Sequence, residues 1–319
     1  MKRIGVLTSG GDCSGMNAAI RAVVRTAMNA GIEVVGFLKG FRGLIDRQYE
    51  IMQNRSVSNV LQRGGTFLQS ARCKEMHDEA GQAIAAATLK GLGVEGLVVI
   101  GGGGSLTGAR ALAERGARII GIPASIDNDI ACTEMSLGVD TALNNIIYAV
   151  DCLKDTASSH DRAFVVECMG RDSGYLTLAA TVASGAEHAI IPEMPFDLET
   201  ICTNLRRRYQ EGRFNSIIMV AEGAGSAQQI ADSIKDRIGF ETRVMVLGHY
   251  QRGGSPSAFD RLLAARFGTS AVEALLAGES AKMVGLKSGS IILTGLDEVL
   301  SSGIRPIDQM MMQLAGKLT

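Results

Sequence analysis

Short apolar runs rich in β-branched residues alternate along this chain with glycine-rich turns and longer amphipathic stretches. Residues 3–7 and 96–100 are two such runs, and each is followed by glycines and then by helical spacing, at Met16–Asn29 and at 106–114. Strands that alternate with helices in this way predict an α/β fold with a mostly parallel sheet. Both faces of a parallel sheet are covered, which explains why these runs are apolar throughout.

The same pattern continues to the end of the chain. No repeat, low-complexity tract or Pro-rich linker marks a domain boundary, and the pattern favours a boundary after residues 127–129, where a long helical stretch begins. The further elements predicted from the pattern are strands at 33–38, 118–122, 163–169, 216–221 and 243–247 and a helix at 140–156.

Length, charge and cysteine spacing exclude several classes of protein. The 319 residues, 46 % of them hydrophobic, are enough for two domains with buried cores. Basic and acidic side chains number 32 and 33, so no nucleic-acid surface is expected. The six cysteines form no CxxC pair, which argues against zinc and favours a reduced intracellular protein. With no signal peptide and no apolar run of about 18 residues, we expect a cytoplasmic protein without membrane contact.

Two of the strand-to-helix turns, at residues 8–15 and 101–105, are rich in glycine. In open α/β sheets, ligands bind beyond the carboxyl ends of the strands, and glycines there let backbone N–H groups approach phosphate oxygens at the start of a helix. Neither turn has the Lys of a P-loop, and neither fits GxGxxG with an acidic residue about 20 positions on. Two such turns favour phosphate binding over the alternative of tight turns alone.

A third loop, in the segment GIPASIDNDI at residues 121–130, carries two carboxylates, Asp127 and Asp129. Beside a polyphosphate, one carboxylate can accept a proton from an attacking hydroxyl, and the other can help to hold magnesium. Asp and Asn also favour Asx-turns and helix N-caps, so these residues alone leave a purely structural role open.

Arginines lie at both ends of two later predicted strands. Arg171 and Arg252 follow the strands, and Arg162 and Arg243 lie near their starts. A guanidinium grips phosphate with two N–H groups and can stabilise charge on a transferring phosphoryl group. Each arginine alone is more often part of a surface ion pair. Four of them, in a chain with two phosphate-binding turns, favour an anionic substrate.

Taken together and in this order, the segments resemble those of one family. RIGVLTSGGD, GMNAAIR, GGGGS, GIPASIDNDI, MGR and GHYQRGG are similar, over essentially the whole chain, to segments of bacterial-type ATP-dependent phosphofructokinases. The resemblance implies the phosphofructokinase fold, with two Rossmann-like α/β domains of mostly parallel sheets. It also implies an ATP-binding domain at 1–138 plus 251–301 and a sugar-phosphate-binding domain at 139–250 plus 302–319.

The family phosphorylates fructose 6-phosphate at its 1-hydroxyl with ATP, a step of glycolysis, and we expect that activity here. By resemblance, Asp127 is the general base and Arg171 stabilises the transition state. With Ser125 and Asp129 they form the implied catalytic set. The implied ATP positions are Gly11, Arg72, Cys73, Gly102, Gly103, Gly104 and Ser105. The implied sugar-phosphate positions are Ser125, Ile126, Asp127, Arg162, Met169, Gly170, Arg171, Glu222, Arg243, His249, Tyr250, Gln251 and Arg252.

The resemblance also implies an assembly and a regulatory site. Arg162 and Arg243 match residues that reach the sugar phosphate of a neighbouring subunit, so a homotetramer with shared active sites is expected. Effector control by ADP or phosphoenolpyruvate is in doubt, because Asn54 and Glu211 stand where the bacterial pattern is basic and a carboxylate near a phosphate is unfavourable. The positions that match the family's effector site are Arg21, Arg25, Lys154, Gly185, Glu187 and Arg213.

Gly103 is the main departure from the family. The ATP-dependent pattern is GGDGS with a magnesium-binding Asp, whereas this chain reads GGGGS. Mg²⁺ would then be held by the phosphates of ATP, by water and by Asp129. Diphosphate-using relatives typically show GGDDS and a Lys in the acidic loop, and Gly104 and Ala124 stand at those two positions, which favours ATP as donor. A diphosphate-dependent kinase, a weakly active or regulatory paralogue and a kinase of another ketose phosphate are the alternatives.

Overall fold

The computed structural model describes residues 1–158 and 162–318. Within them the chain packs as two compact units, each with its own sheet and core. The bounds of these units differ from the predicted functional domains in two respects. Loop 127–129 belongs to the second unit, and each point where the chain passes from one unit to the other is shifted by a few residues. The functional domain bounds stay a prediction. The first unit comprises Met1–Ile126, Ile130–Thr141 and Arg252–Arg305, and the second comprises the described residues of Asp127–Asp129, Ala142–Gln251 and Pro306–Thr319.

Strands and helices alternate through both units. The strands are β1 (Arg3–Ser9), β2 (Glu33–Phe37), β3 (Tyr49–Met52), β4 (Gly96–Gly101), β5 (Ile119–Pro123), β6 (Arg162–Cys168), β7 (His188–Ile190), β8 (Ser216–Ala221), β9 (Glu241–Val246), β10 (Lys282–Lys287) and β11 (Ser290–Gly295). The α-helices are α1 (Met16–Asn29), α2 (Phe41–Ile45), α3 (Glu79–Gly91), α4 (Gly103–Glu114), α5 (Val139–Ser158), α6 (Tyr175–Ser184), α7 (Leu198–Gln210), α8 (Ala227–Ile238), α9 (Ala258–Leu276), α10 (Leu296–Ser301) and α11 (Gln309–Leu318).

The first unit is built on a sheet with the strand order β11-β10-β5-β4-β1-β2-β3. Its inner strands pair in parallel, whereas β3 and β11 pair antiparallel at the two edges. Helices α1, α4 and α9 cover the sheet, so Leu97 and Val99 of β4 and Leu106 of α4 are fully buried. Burying each such side chain stabilises the fold by about 1.5–3 kcal/mol.

The second unit holds a smaller sheet with the order β7-β8-β6-β9, in which all pairs are parallel. Its core forms where Val165, Ile218 and Val220 of the sheet meet Leu205 of α7 and Ile234 of α8. β8 is buried along its whole length, whereas the edge strand β9 is largely exposed. Among the described residues of both units, no helix has the length and apolar character needed to cross a bilayer.

The prediction of an α/β fold with mostly parallel sheets is confirmed, and α1 and β8 have the predicted bounds. Helix α4 begins at Gly103, three residues before the predicted start at 106, and Gly102 is its N-cap. The pattern missed the antiparallel hairpin β10–β11, whose two-residue turn has positive φ at Ser288 (48°) and Gly289 (77°). A type I′ turn requires that conformation at both positions, and Ser-Gly between two apolar runs is its sequence signal.

Asp260, in the first turn of α9, fixes the start of α5 within the first unit. Its buried carboxylate accepts hydrogen bonds from the backbone N–H groups of Gly138 and Thr141, both at 2.9 Å, and from Thr141 Oγ1 at 2.5 Å. Burial raises the pKa of Asp260 above its ordinary value, although the hydrogen bonds favour the charged form. The segment that leads into the second unit is therefore anchored by a buried acid.

Candidate active site

The two glycine-rich turns lie side by side at the carboxyl edge of the first sheet. β1 and β4 are parallel neighbours whose last residues, Ser9 and Gly101, are paired in the register. From β1 the chain proceeds through α1 to β2 on one side, and from β4 it proceeds through α4 to β5 on the other. This reversal is a topological switch point, where open α/β sheets bind their ligands.

Close packing explains the glycine at the end of β4. A Cβ added to Gly101 would collide with Ser9 O and would lie 2.5 Å from Ser105 Oγ. The buried Ser105 therefore lies close to both turns, since its hydroxyl is also 3.2 Å from a Cβ placed on Gly10. No side chain caps α4 at Gly102. An uncapped helix start on an open edge is suited to an anion.

Gly103 and Gly104 have no such packing constraint. Among the described residues, no atom outside their own helix and neighbours lies within 4 Å of a Cβ at either position, and neither glycine has a positive φ. A side chain at position 103 would therefore be accepted by the backbone. The glycine that replaces the family's Asp is not imposed by the local fold.

The segment that carries Arg72 is tied to β1 and α1. Thr8 Oγ1 donates to Gln69 O at 2.9 Å, and Ser70 Oγ donates to Gly10 O at 2.6 Å. Asn17 of α1, which is 1 % exposed, donates to Arg63 O and accepts from Phe67 N–H. These polar anchors place a segment without regular structure beside the first glycine turn, with Arg72 exposed.

Cys73 follows Arg72 and is half-buried. Its thiol lies 3.6 Å from Glu75 Oε2, and burial raises the pKa of Cys73 above its ordinary value. A raised pKa keeps the sulfur protonated, so this cysteine lacks the thiolate character of a reactive thiol.

Two further predicted positions in the first unit approach the glycine turns. Ser125, beyond the end of β5, lies 3.9 Å from a Cβ placed on Gly102, and Ile126 beside it is buried. Arg252, predicted from the resemblance to bind the sugar phosphate, places its guanidinium 3.0 Å from a Cβ on Gly11. The first unit therefore has a cation directly at the turn that follows β1.

Asp127 and Arg171 meet in the second unit. Asp127 Oδ2 lies 3.7 Å from Arg171 Nε, and the carboxylate is 7 % exposed whereas the arginine side chain is 68 % exposed. The adjacent Asn128 has a positive φ of 49°, a conformation that Asn tolerates better than most residues. Asp129 is half-buried on the same loop. A nearly buried carboxylate beside an accessible guanidinium suits proton transfer at an anionic centre.

Arg162 and Arg243 share one carboxylate, Glu241. β6 and β9 pair so that Arg162 stands opposite Glu241, and Arg243 follows two residues later on the same face of β9. Arg162 Nε lies 2.5 Å from Glu241 Oε2, and Arg243 pairs with Glu241 Oε1. The two predicted phosphate-binding arginines thus form one cluster. Sequence analysis missed Glu241, although its position two residues before Arg243 was a usable signal.

The remaining predicted sugar-phosphate positions lie on two loops of the second unit. Met169 and Gly170 form the turn after β6, and Glu222 follows β8 and accepts hydrogen bonds from that turn. After β9, His249 and Tyr250 are exposed, whereas Gln251 is buried.

The predicted effector positions divide between the two units. Arg21 and Arg25 lie half-buried on α1 of the first unit, and Arg213 is exposed beyond α7 of the second unit. In the second unit, Lys154 Nζ donates to the carbonyl oxygens of Ser184 and Gly185.

Glu187, the last predicted effector residue, is engaged on both oxygens, by Arg208 at 2.7 Å and by Ile217 N–H at 2.6 Å. Its neighbour His188 has a pKa lowered to about 4 by burial and by the charge of Arg208. The carboxylate is therefore part of the internal packing of the second unit.

The donor set does not fit a resident metal site. Within residues 1–158 and 162–318, no three His, Cys, Asp or Glu side chains are grouped so that they could hold a metal ion. Position 103 offers no side-chain oxygen, and Asp129 is the single carboxylate proposed for this purpose.

The chain belongs to the phosphofructokinase family, because the model of that family, Phosphofructokinase, matches residues 3–275. The ATP-dependent 6-phosphofructokinase of Thermotoga neapolitana is 50 % identical to it over 100 % of both chains. That of Halothermothrix orenii is 51 % identical over 94 % of this chain and 95 % of its own.

Solved structures agree with this assignment. Phosphofructokinase from Saccharomyces cerevisiae matches with a TM-score of 0.89 at 35 % identity, and the match covers 100 % of this chain and 47 % of the yeast chain. A pyrophosphate-dependent phosphofructokinase from Marinobacter aquaeolei matches with a TM-score of 0.86 at 22 % identity, over 100 % of this chain and 91 % of its own. It shares the fold.

Proposed function

We propose that this protein is an ATP-dependent 6-phosphofructokinase of glycolysis, which converts fructose 6-phosphate to fructose 1,6-bisphosphate. Its phosphofructokinase family membership rests on the whole chain. The observation in the structure that best supports the reaction is the Asp127 carboxylate, nearly buried and 3.7 Å from the Arg171 guanidinium. This arrangement pairs a proton acceptor with a group that stabilises negative charge, and phosphoryl transfer to an alcohol needs both.

In the proposed reaction, the sugar 1-hydroxyl oxygen attacks the γ-phosphorus of ATP. The bond from that phosphorus to the β,γ-bridging oxygen breaks, and ADP leaves with the electron pair. Asp127 accepts the hydroxyl proton, and Arg171 stabilises the charge on the three equatorial oxygens of the transferring group. Ser125 and Ile126 precede Asp127 on the loop that we assign to the acceptor.

The donor side of the reaction is assigned to the glycine turns of the first unit. Gly102 is the N-cap of α4 and Ser105 lies in its first turn, a helix start that suits phosphate oxygens, and Gly11 lies in the neighbouring turn after β1. Arg72 and Arg252 supply positive charge near the first turn. At position 104, glycine leaves room where diphosphate-using relatives carry Asp, so we assign ATP as donor.

Among residues 1–158 and 162–318, no three His, Cys, Asp or Glu side chains are grouped so that they could hold a magnesium ion by themselves. A magnesium ion usually keeps several waters and binds through one or two carboxylates together with substrate phosphates. Asp129 is the carboxylate that we propose for such an ion when ATP carries it to the protein.

Assembly into a cytoplasmic homotetramer with shared active sites is part of the proposal. The paired cluster of Arg162, Arg243 and Glu241 lies on the exposed side of the edge strand β9 and the start of β6. Such a preformed cluster could serve the 6-phosphate in a neighbouring subunit's site. Effector control is the least supported part, because both Glu187 oxygens already accept hydrogen bonds within the chain.

The choice of donor is the first prediction. Purified protein with fructose 6-phosphate and magnesium should turn over faster with ATP than with diphosphate, because Gly104 and Ala124 leave the space of the inner phosphate open. A coupled assay of both donors with several ketose phosphates measures this. Faster turnover with diphosphate would favour the diphosphate-dependent alternative, and binding of sugar phosphate without turnover would favour the regulatory one.

Replacing the proposed general base should slow catalysis strongly and leave the binding of fructose 6-phosphate intact. Asp127→Ser should lower kcat by about 10²–10⁴-fold, the usual contribution of general-base catalysis, and should leave the Kd of fructose 6-phosphate nearly unchanged. Steady-state kinetics and calorimetry measure the two quantities. Asp151→Ser, at an exposed aspartate on α5, is the matched control and should be silent. A near-normal kcat for Asp127→Ser would reject the role.

The arginine cluster should govern the affinity for the sugar phosphate. Arg162→Ala or Arg243→Ala should raise the KM for fructose 6-phosphate by about 10- to 150-fold, which corresponds to the loss of one charge-assisted contact of about 1.5–3 kcal/mol. The KM for ATP should change much less. Arg206→Ala, which breaks an exposed ion pair with Glu199, is the control and should behave as wild type.

A mixing experiment shows whether these arginines act in a neighbouring subunit's site. Arg243→Ala and Asp127→Ser subunits are each defective in a different part of the site, so hybrid oligomers should regain intact sites if sites are shared. Activity that fails to recover despite demonstrated subunit exchange would show that each subunit uses its own Arg243.

Introducing a carboxylate at position 103 is predicted to lower the magnesium concentration that ATP binding needs. Gly103→Asp meets no steric obstacle, and an acid in the first turn of α4 should stabilise the helix by about 0.3–1 kcal/mol. Thermal unfolding should show an unchanged or higher Tm, and ATP binding should need less magnesium. Gly103→Asn matches the size without the charge, so equal effects of the two variants would contradict a role in metal binding.

A further inference from the structure

We propose that Ser14 is a positioning residue, whose hydroxyl holds loop 252–254 so that the Arg252 guanidinium stays beside the first glycine-rich turn. The resemblance assigns Arg252 to the sugar phosphate, and Ser14 is not among the positions that it implies for either substrate. The inference rests on the proposed function, because it concerns the affinity of the site for fructose 6-phosphate.

The Ser14 hydroxyl is surrounded by backbone carbonyl groups of this loop. Ser14 lies at the end of the first glycine-rich turn, two residues before α1 begins, and is 1 % exposed. Its Oγ donates to Gly254 O at 2.8 Å, and the carbonyl oxygens of Gly253 and Arg252 lie 3.3 Å and 3.5 Å from the same atom. A serine hydroxyl has one proton to donate, so the bond to Gly254 O is the strongest of the three. Three successive carbonyl groups thus face one buried hydroxyl.

The loop has a second anchor on its other side. A Cβ on Gly64 would collide with Gly254 O, so the two backbones pack directly against each other. Asn17 Nδ2 of α1 donates to Gly64 O at 3.1 Å, which fixes the segment that the loop touches. Gly254 has a φ of 88°, a conformation that glycine adopts without strain. Ser14 and Asn17, at the start of α1, therefore hold both sides of this contact.

Arg252 depends on this loop for its place in the first unit. Among the ion pairs within the part of the chain that the structure describes, none includes Arg252. Its guanidinium lies against Gly11, with Nη1 at 3.0 Å and Cζ at 3.3 Å from a Cβ placed there. The turn and the loop therefore meet at two points, where Arg252 lies beside Gly11 and where Gly254 accepts the proton of Ser14.

Loss of the Ser14 hydroxyl should release one of these two contacts and displace the Arg252 guanidinium. A guanidinium grips a phosphate through two parallel N–H groups, and such a geometry tolerates little displacement. The affinity for fructose 6-phosphate should therefore fall. The rate at saturating substrate should change much less, because Arg252 is assigned to binding and not to the transferring phosphoryl group.

The kinetic test uses Ser14→Ala, which removes only the hydroxyl oxygen. The KM for fructose 6-phosphate should rise by about 5- to 20-fold with a nearly unchanged kcat, whereas Arg252→Ala, which removes the whole guanidinium, should raise it by about 10- to 150-fold. Ser233→Ala also removes a hydroxyl that donates to a backbone carbonyl, but on the exposed face of α8; it is the matched control and should be silent. An unchanged KM in Ser14→Ala, or a loss of kcat as large as the rise in KM, would overturn the proposal.

A double-mutant cycle shows whether Ser14 acts through Arg252. In an Arg252→Ala background, Ser14→Ala should have little further effect on the Kd of fructose 6-phosphate, because the residue that it positions is absent. Calorimetry on the four proteins measures this. Additive effects of the two changes on Kd would overturn the proposal.

Crystal structures of the wild type and Ser14→Ala, in the same crystal form, test the positioning without any activity. The guanidinium should move away from Gly11 by about 1 Å or more in the variant, a displacement large enough to matter at a binding site. Arg252 in the same place in both structures would reject the inference alone. A wild type without kinase activity would reject the proposed function, and the two structures would still decide whether Ser14 holds Arg252.

Discussion

Parallel pairing of β1 with β4 brings both glycine-rich turns of the first unit to one edge of one sheet. Ser9 and Gly101 are neighbours in the register, so the turns that lead into α1 and α4 begin side by side. Because βαβ crossovers are right-handed, two helices whose strands lead in opposite directions lie on opposite faces of the sheet. The edge between them stays open, with N–H groups and helix dipoles directed toward one place. The proposed donor site depends on this register, since a shift of one residue would separate Ser105 from Gly10.

Carboxylates organise the arginines of the second unit. Glu241 joins Arg162 to Arg243, Glu187 holds Arg208, and Asp127 stands beside Arg171. Unpaired guanidinium groups close together would repel one another, and Glu241 between Arg162 and Arg243 allows two cations to stand on neighbouring strands. A chain with a formal net charge of −1 can therefore still hold a local cluster of arginines. The net charge of the chain does not reveal such local clusters of charged side chains.

Apolar periodicity predicted the parallel strands well, because strands buried on both faces leave continuous apolar runs. It did not predict β3, β7 or the hairpin β10–β11, which are short, lie at sheet edges or pair antiparallel. The candidate residues came from motifs at strand ends and from the family resemblance. The partners of those residues could not be predicted, because Glu241 and Arg162 are neighbours only through the register of β9 on β6. The hydrogen bond from Met169 N–H to Gln251 likewise depends on how loops 82 positions apart pack.

Gly103, where the family carries Asp, changes the electrostatic interactions expected at the start of α4. Its backbone accepts a side chain, so the glycine relieves no strain. An Asp there would place a negative charge in the first turn of α4, where it would offset the positive end of the helix dipole and attract a metal ion. With glycine, that end of the helix keeps its full positive potential and carries no acid to compete with phosphate oxygens. The phosphates of the donor would then be held more by backbone N–H groups and by cations such as Arg72, and less by a metal bridge.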